Sequence, residues 1–342
     1  MPSNTERSNA EFASDKLMGT FLLRRLLHAL VVIAISTSLG FFVLHVVPGD
    51  PLHMNTSQAG RNAETQELLR VRYGLDLPLS QQYLQFVSRA VRGDWGTSLI
   101  DGQSVGASLR HALVNSITLS GTALLCALLL GVTIGSWQGW RAGSSIARAF
   151  GGTLTALYVV PEFIVAVMLI TVLAYHFALF PVGGLMDPVL SITGSPLQQL
   201  RDRAWHLALP ALTLAIGWSA AIARQQRVSL QEICGEQFIQ TARAKGIGAF
   251  SLFRKHALRP SLTPVVVVLG LMLPVLVGGS VVVETLFAWP GVGSLLLRAI
   301  TLRDYPTVSA AIVLTGIVVS MGTMLTDVVV ATVDPRIRVV TG

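Results

Sequence analysis

Three carboxylates, Glu162, Glu284 and Asp327, stand in or beside long apolar runs of the sequence. Ionisable groups at membrane depth are costly, and where they are kept they commonly serve proton or ion relays. Glu284 and Asp327 fall near the ends of their runs, and three such groups are sparse equipment for an ion-gradient cycle. Glu284 sits between GGSVVV and TLFAWPG. It reads either as a carboxylate at a pore mouth or as an interfacial glutamate capped by neighbouring backbone groups, and the second reading is favoured. Asp327, in TMLTDVVVATVDP, reads as a helix-packing hydrogen-bond group ahead of a pathway residue.

Nucleophile, phosphate and metal chemistry find less support. The sequence contains no G-x-S-x-G elbow, no H-E-x-x-H and no G-x-x-x-x-G-K-[ST] loop. Gly278-Gly279-Ser280 has no base at a useful position and reads as close helix packing by small residues. His45 and His53 flank PGDP and read as interfacial groups. Cys126 falls in an apolar span and Cys234 in a basic loop, with no C-x-x-C spacing, so both read as small packing residues. The chain is therefore expected to be no enzyme, to hold no metal and to bind no cofactor of its own.

The elements that place these residues follow from composition and run length. Of 342 residues, 52% are hydrophobic and only 13% charged, against about 25% charged in soluble globular chains. Disordered chains have the opposite bias. Apolar runs of about 20 residues, enough for one bilayer crossing, recur near 26–47, 112–138, 149–177, 206–227, 262–287 and 307–332. The expected fold is an all-α integral membrane protein of about six transmembrane helices. The first run follows Arg24 and Arg25 but exceeds the roughly 7–15 residues of a signal core. It ends at Pro48-Gly49-Asp50-Pro51 and reads as an uncleaved span, with residues 1–20 a flexible tail. Loop 48–111 holds two short helices, ETQELLRVRYG and SQQYLQFVSRAVRG, ended by Gly74 and Gly93. Pro161 and Pro274 lie inside spans and can kink them.

Orientation follows from lysine and arginine. With the N-terminus in the cytoplasm, 15 of the 25 basic residues and six of the 18 acidic ones lie inside. Both termini are then cytoplasmic, loop 48–111 is external, and loop 228–261 is cytoplasmic. The net charge of +7 becomes a topology signal and not a nucleic-acid footprint.

Loop 228–261 differs from the others. Glu236 to Lys245 has helical propensity, with Phe238, Ile239 and Ala242 forming an apolar patch. Gly246 breaks the run, and helical spacing resumes from Ala249 to Leu258. Helix, glycine bend and helix make a compact knob whose exposed side carries apolar residues with Arg243 and Lys245. Such a knob suits a groove on a soluble partner, or equally an amphipathic connector on the inner leaflet.

The segment TARAKGI (241–247) followed by KHALRPSLTP resembles the cytoplasmic loop of binding-protein-dependent ABC importer permeases of the oligopeptide, dipeptide and nickel branch. In that family a degenerate EAA…G pattern inserts a coupling helix into the ATP-hydrolysing subunit. Gly246 matches its glycine and Ala242 an alanine, while Gln240 replaces the glutamate. VVPGDP, RYGLDLPL, GDWGTSL, VVVETLFAWPGVGSLL, RDYPTV and DPRIR are similar to further segments of these permeases, in order over most of residues 20–340.

The resemblance implies an ABC importer permease fold over 21–342 and transport of peptides by alternating access in a bacterial-type cytoplasmic membrane. It assigns ATPase coupling to Thr241, Ala242, Arg243, Ala244, Lys245, Gly246 and Ile247, and leaves Glu284 and Pro274 as pore or outer-gate candidates. The implied partners are a second homologous permease, two cytosolic ATP-binding subunits holding ATP and Mg, an extracytoplasmic binding protein and membrane lipid, with no nucleic acid. A nickel or glutathione-type substrate, or an ion-coupled secondary transporter, remains the alternative.

Overall fold

The computed structural model describes residues 23–42, 77–274 and 280–333. The tail over 1–20, the first short helix of loop 48–111, His45, His53, Gly278, Gly279 and the closing DPRIR lie outside them. Among the described residues the chain is helical, with a single isolated bridge between Thr97 and Ser104 in place of any strand.

Helix α1 (Leu23–Phe42) is the first apolar span. Helix α2 (Leu79–Arg92) fills the expected SQQYLQFVSRAVRG segment and ends at Gly93, whose φ of 72° gives a left-handed cap. Tyr83 of α2 stacks on Phe42, and its hydroxyl lies 2.7 Å from Ser38 Oγ, which fastens α2 to α1. Two long helices follow, α3 (Val105–Trp140) and α7 (Pro196–Gly235), with 36 and 40 residues. At 1.5 Å per residue they extend about 54 and 60 Å, well beyond one bilayer core of about 30 Å. Both outrun their expected spans, because polar turns such as Arg110-His111 and Ser229 to Gly235 continue the same helices.

Lipid supplies no hydrophobic drive between helices, so small residues that let backbones approach become the main adhesive. Gly131, Gly135 and Gly139 recur every fourth residue on one face of α3, and that face meets α7. A Cβ at Gly131 would lie 2.7 Å from Ile222 Cβ, and one at Gly139 would lie 3.0 Å from the Arg227 carbonyl oxygen. One at Gly135 would overlap the Ala223 carbonyl. Helices α3 and α7 therefore form one close-packed beam.

Two expected spans depart from single helices. Residues 149–177 form α4 (Ser145–Val159) and α5 (Glu162–Leu169, continued by a π-helical stretch Ile170–His176), which meet at 102°. Proline confines the residue before it to extended backbone, and Val160 adopts φ −68° and ψ 124° there. The kink that Pro161 allows is thus sharp enough to divide the run into two helices. Residues 262–287 give α10 (Thr263–Met272) and α11 (Val281–Leu286); between them, 275–279 lie outside the described residues. Between α5 and α7 stands the short α6 (Pro188–Thr193), capped by Asp187. Helix α8 (Gln237–Ala244) precedes α9, which runs from Ala249–Ser251 through a π-helical turn Leu252–Ala257 into Leu258–Ser261. Helices α12 (Val292–Thr301) and α13 (Tyr305–Val333) close the chain. Among the described residues α1, α3, α7 and α13 are long and apolar enough to cross a membrane, and α4–α5 is a fifth candidate if the bent pair is one span.

Candidate functional site

Helix α3 has two ends, and each carries one of the regions singled out in the sequence. Ser116 contacts the α11–α12 turn, whereas Trp140 contacts α9. These positions are 24 residues apart, which is about 36 Å along a helix.

At the Trp140 end, α8 and α9 form the helix–bend–helix knob. Ile239 and Ala242 turn inward and pack with Leu252 and Ala257 against Leu230 of α7, flanked by Trp140, Ile233, Ile247 and Phe253. The apolar patch expected on the outside is thus divided: Ile239 and Ala242 are core, and Phe238 remains 47% exposed. Phe250, at 75% exposed, was not foreseen as part of that surface. Thr241, Arg243, Ala244 and Lys245 are all exposed. Thr241 Oγ1 donates to Gln237 O at 3.0 Å within its own helix, and Gln240 Nε2 donates to Gly235 O at 3.1 Å. Large aromatic side chains left in water beside basic ones are what a protein-docking surface offers.

Gly246 ends α8 with φ 75°. Its N–H donates to Arg243 O at 3.0 Å and the Ile247 N–H to Ala242 O at 3.3 Å. That pair of bonds is a Schellman cap, and Ile247 supplies the apolar contact that accompanies one. A Cβ on Gly246 would meet nothing within 4 Å. Glycine is needed for its backbone conformation alone.

At the opposite end, Glu284 of α11 is 0% exposed. Ser116 Oγ of α3 donates to its Oε1 at 2.6 Å, and the Ser294 N–H of α12 donates to its Oε2 at 2.9 Å. Ser116 Oγ also accepts from the Val292 N–H at 2.8 Å. The carboxylate thus caps the first turn of α12, where unpaired N–H groups and the helix dipole favour negative charge. The WPGVG turn folds around it: Gly291 and Gly293 leave no room for a Cβ against the carboxylate. Trp289 is fully buried and donates from Nε1 to Asn115 O at 3.0 Å. The Asn115 side chain donates to Pro290 O at 3.0 Å and accepts from Arg203 Nη2 at 2.8 Å.

A second carboxylate, Asp304, was not singled out in the sequence, though it lies within RDYPTV. It accepts from Ser98 Oγ at 2.6 Å, Leu99 N at 3.1 Å and Thr307 Oγ1 at 2.7 Å. The GDWGTSL segment is thereby pinned to the start of α13. Pro274 has different neighbours from Glu284, being seated against Gly322 of α13. Asp327 of α13 makes a charge contact with Arg25 of α1 at 2.5 Å. Among the described residues no three His, Cys, Asp or Glu side chains converge as a metal site, and Cys126 and Cys234 are free thiols.

Comparison with known proteins finds matches over nearly the whole chain. Residues 128–339 match the model of the binding-protein-dependent transport system inner membrane component. Residues 18–115 match the N-terminal part of the same kind of membrane component. The chain is similar to the oligopeptide transport system permease protein AppB of Bacillus subtilis, 33% identical over 94% of this chain and 100% of that one. It is also similar to the dipeptide transport system permease protein DppB of Escherichia coli K12, 33% identical over 93% and 98%. The glutathione transport system permease protein GsiC of Escherichia coli O1:K1 / APEC is 33% identical over 94% and 99%. With the family models covering most of the length, and a helical architecture that sets a helix–bend–helix knob and an anchored turn at opposite ends of one long beam, this chain belongs to the binding-protein-dependent inner-membrane permeases, the membrane subunits of ABC importers.

Proposed function

We propose that this chain carries peptides across a bacterial cytoplasmic membrane as one of two homologous permeases, driven by two ATP-binding subunits and supplied by an extracytoplasmic binding protein. ATP and Mg belong to the ATPase subunits. The observation that carries the coupling part is the α8–α9 knob. Its inner face is packed while Phe238, Phe250, Arg243 and Lys245 are exposed. Of the residues assigned to ATPase coupling, Arg243 and Lys245 offer charge, Thr241 and Ala244 offer surface, and Ala242, Gly246 and Ile247 hold the helix end in shape. The peptide class is supported by the transport systems named for the similar permeases, including an oligopeptide, a dipeptide and a glutathione system. Glu284 is read as the anchor of the turn facing the binding protein, and Pro274 as a packing residue against α13. Both termini are placed in the cytoplasm by the distribution of basic residues.

Native mass spectrometry of the tagged chain after gentle extraction tests this. Recovery with a second permease and two ATPases is the expected result, and a retained binding protein would reveal its ligand by mass. A chain that emerges alone and transports on an ion gradient would overturn the proposal in favour of a secondary carrier. Normal uptake by Gly246→Trp would overturn the coupling assignment.

A further inference from the structure

Between the beam and the knob lies a polar junction that the sequence did not disclose. Gln226 of α7 is 0% exposed. Its Nε2 donates to Ser136 Oγ of α3 at 3.1 Å and to Ser261 Oγ, where α9 ends, at 2.9 Å. Ser261 is itself fully buried and donates its hydroxyl proton to Leu258 O at 2.9 Å. Three elements thus meet on one amide, whose two protons are both spent. The Gln226 Oε1 finds no donor among the described residues.

Buried polar groups are nearly always satisfied, and one left idle calls for a reason. The two hydroxyls divide in kind. Ser136 belongs to the beam, one residue from Gly135, whose position lies against the α7 backbone. Ser261 belongs to the knob, four residues beyond the π-helical turn that ends at Ala257. Such turns inside helices commonly mark functional sites, because they leave backbone bonds free to shift register.

We propose that Gln226 is a positioning residue for transport, and that its bond to Ser261 carries displacement of the knob into the α3–α7 beam. In the second state the Ser261 hydroxyl leaves Leu258 O and donates to the idle Oε1. The end of α9 is then released while its tie to α7 is kept. The Ser136 bond holds the amide on the beam throughout. This inference rests on the reading of α8–α9 as the ATPase dock.

The test uses the whole importer in proteoliposomes, with partner permease, ATPases and purified binding protein. The quantity read is the ratio of ATP hydrolysis with saturating binding protein to that without it. Losing one buried hydrogen bond that forms in only one state lowers the ratio about fivefold. Ser261→Ala is expected to show that loss and Ser261→Thr to restore the ratio, whereas Ser136→Ala leaves it near that of the unsubstituted importer. Gln226→Leu is expected to match Ser261→Ala, and the double variant to be no worse than either, since both remove one link. A network that merely fills the core makes Ser136→Ala and Ser261→Ala equivalent, and that result overturns the inference. So does an unchanged ratio for Ser261→Ala. The serine pair decides the matter even where Gln226→Leu fails to assemble. Gly246→Trp, measured in parallel, separates the two levels. If Gly246→Trp abolishes stimulation and Ser261→Ala does not, the junction inference fails alone. If Gly246→Trp keeps full stimulation, the docking reading fails.

Discussion

The two ends of α3 are built by different physics. The α11–α12 turn is held by directed bonds onto buried carboxylate and amide groups: Ser116, Ser294, Asn115 and Trp289 each have one geometry that satisfies them. The knob is held mainly by aliphatic contact between Ile239, Ala242, Leu252, Ala257 and Leu230. Hydrogen bonds weaken steeply with angle, whereas dispersion contacts are many, small and without direction. One end is therefore fixed in shape, and the other can roll by small amounts while staying packed. Under the proposed function, the fixed end is the face offered to the binding protein and the rolling end the one offered to the ATPases.

The strongest way to break this contrast is to remove the fixed end's centre. Glu284→Ala leaves the Ser294 N–H and Ser116 hydroxyl buried without their acceptor, an expected loss of about 3 kcal/mol. A thermal melt of the detergent-purified importer should register it, and an unchanged melting temperature would contradict the anchoring role. Ser116→Ala removes one bond to the carboxylate and one from Val292, and should cost about 1–2 kcal/mol by the same assay. At the knob, Gly246→Val forces a β-branched residue into left-handed backbone at a cost of about 1 kcal/mol, whereas Gly246→Asn should be milder. Since a Cβ meets no neighbour there, a larger loss for Asn than for Val would refute the conformational explanation. Smallest in stability is Phe250→Ala, expected within about 0.5 kcal/mol because the ring is exposed. Its effect should appear instead as weaker retention of the ATPase subunits on size-exclusion chromatography, and full retention would remove Phe250 from the docking surface.

Much of the all-helical design was legible from run length alone. Apolar runs at 112–138, 206–227 and 307–332 each fall within one long helix. Hydropathy reports contact with lipid and not where hydrogen bonding stops, so the polar extensions of α3 and α7 were invisible to it. Gly246 was legible because a glycine after a helical run marks a left-handed cap. The division of Phe238 from Ile239 and Ala242 was not, since burial of the latter depends on Leu252 and Leu230 arriving from other elements. Glu284 illustrates the same limit: its partner Ser116 lies 168 positions away. Gln226, beside Gln225 and Arg227, reads as an ordinary polar helix end. Only the convergence of α3, α7 and α9 makes it a junction.

The glycine face of α3 carries a consequence for how this chain can vary over generations. Positions 131, 135 and 139 meet α7 in phase, and one inserted residue would rotate everything after it by about 100°. Such an insertion would swing bulky residues into the contact and carry Ser136 away from Gln226. Drift by substitution is open to the outward side of this segment. Its length is closed to change, so among functioning descendants insertions and deletions should accumulate in the loops and spare residues 131–139.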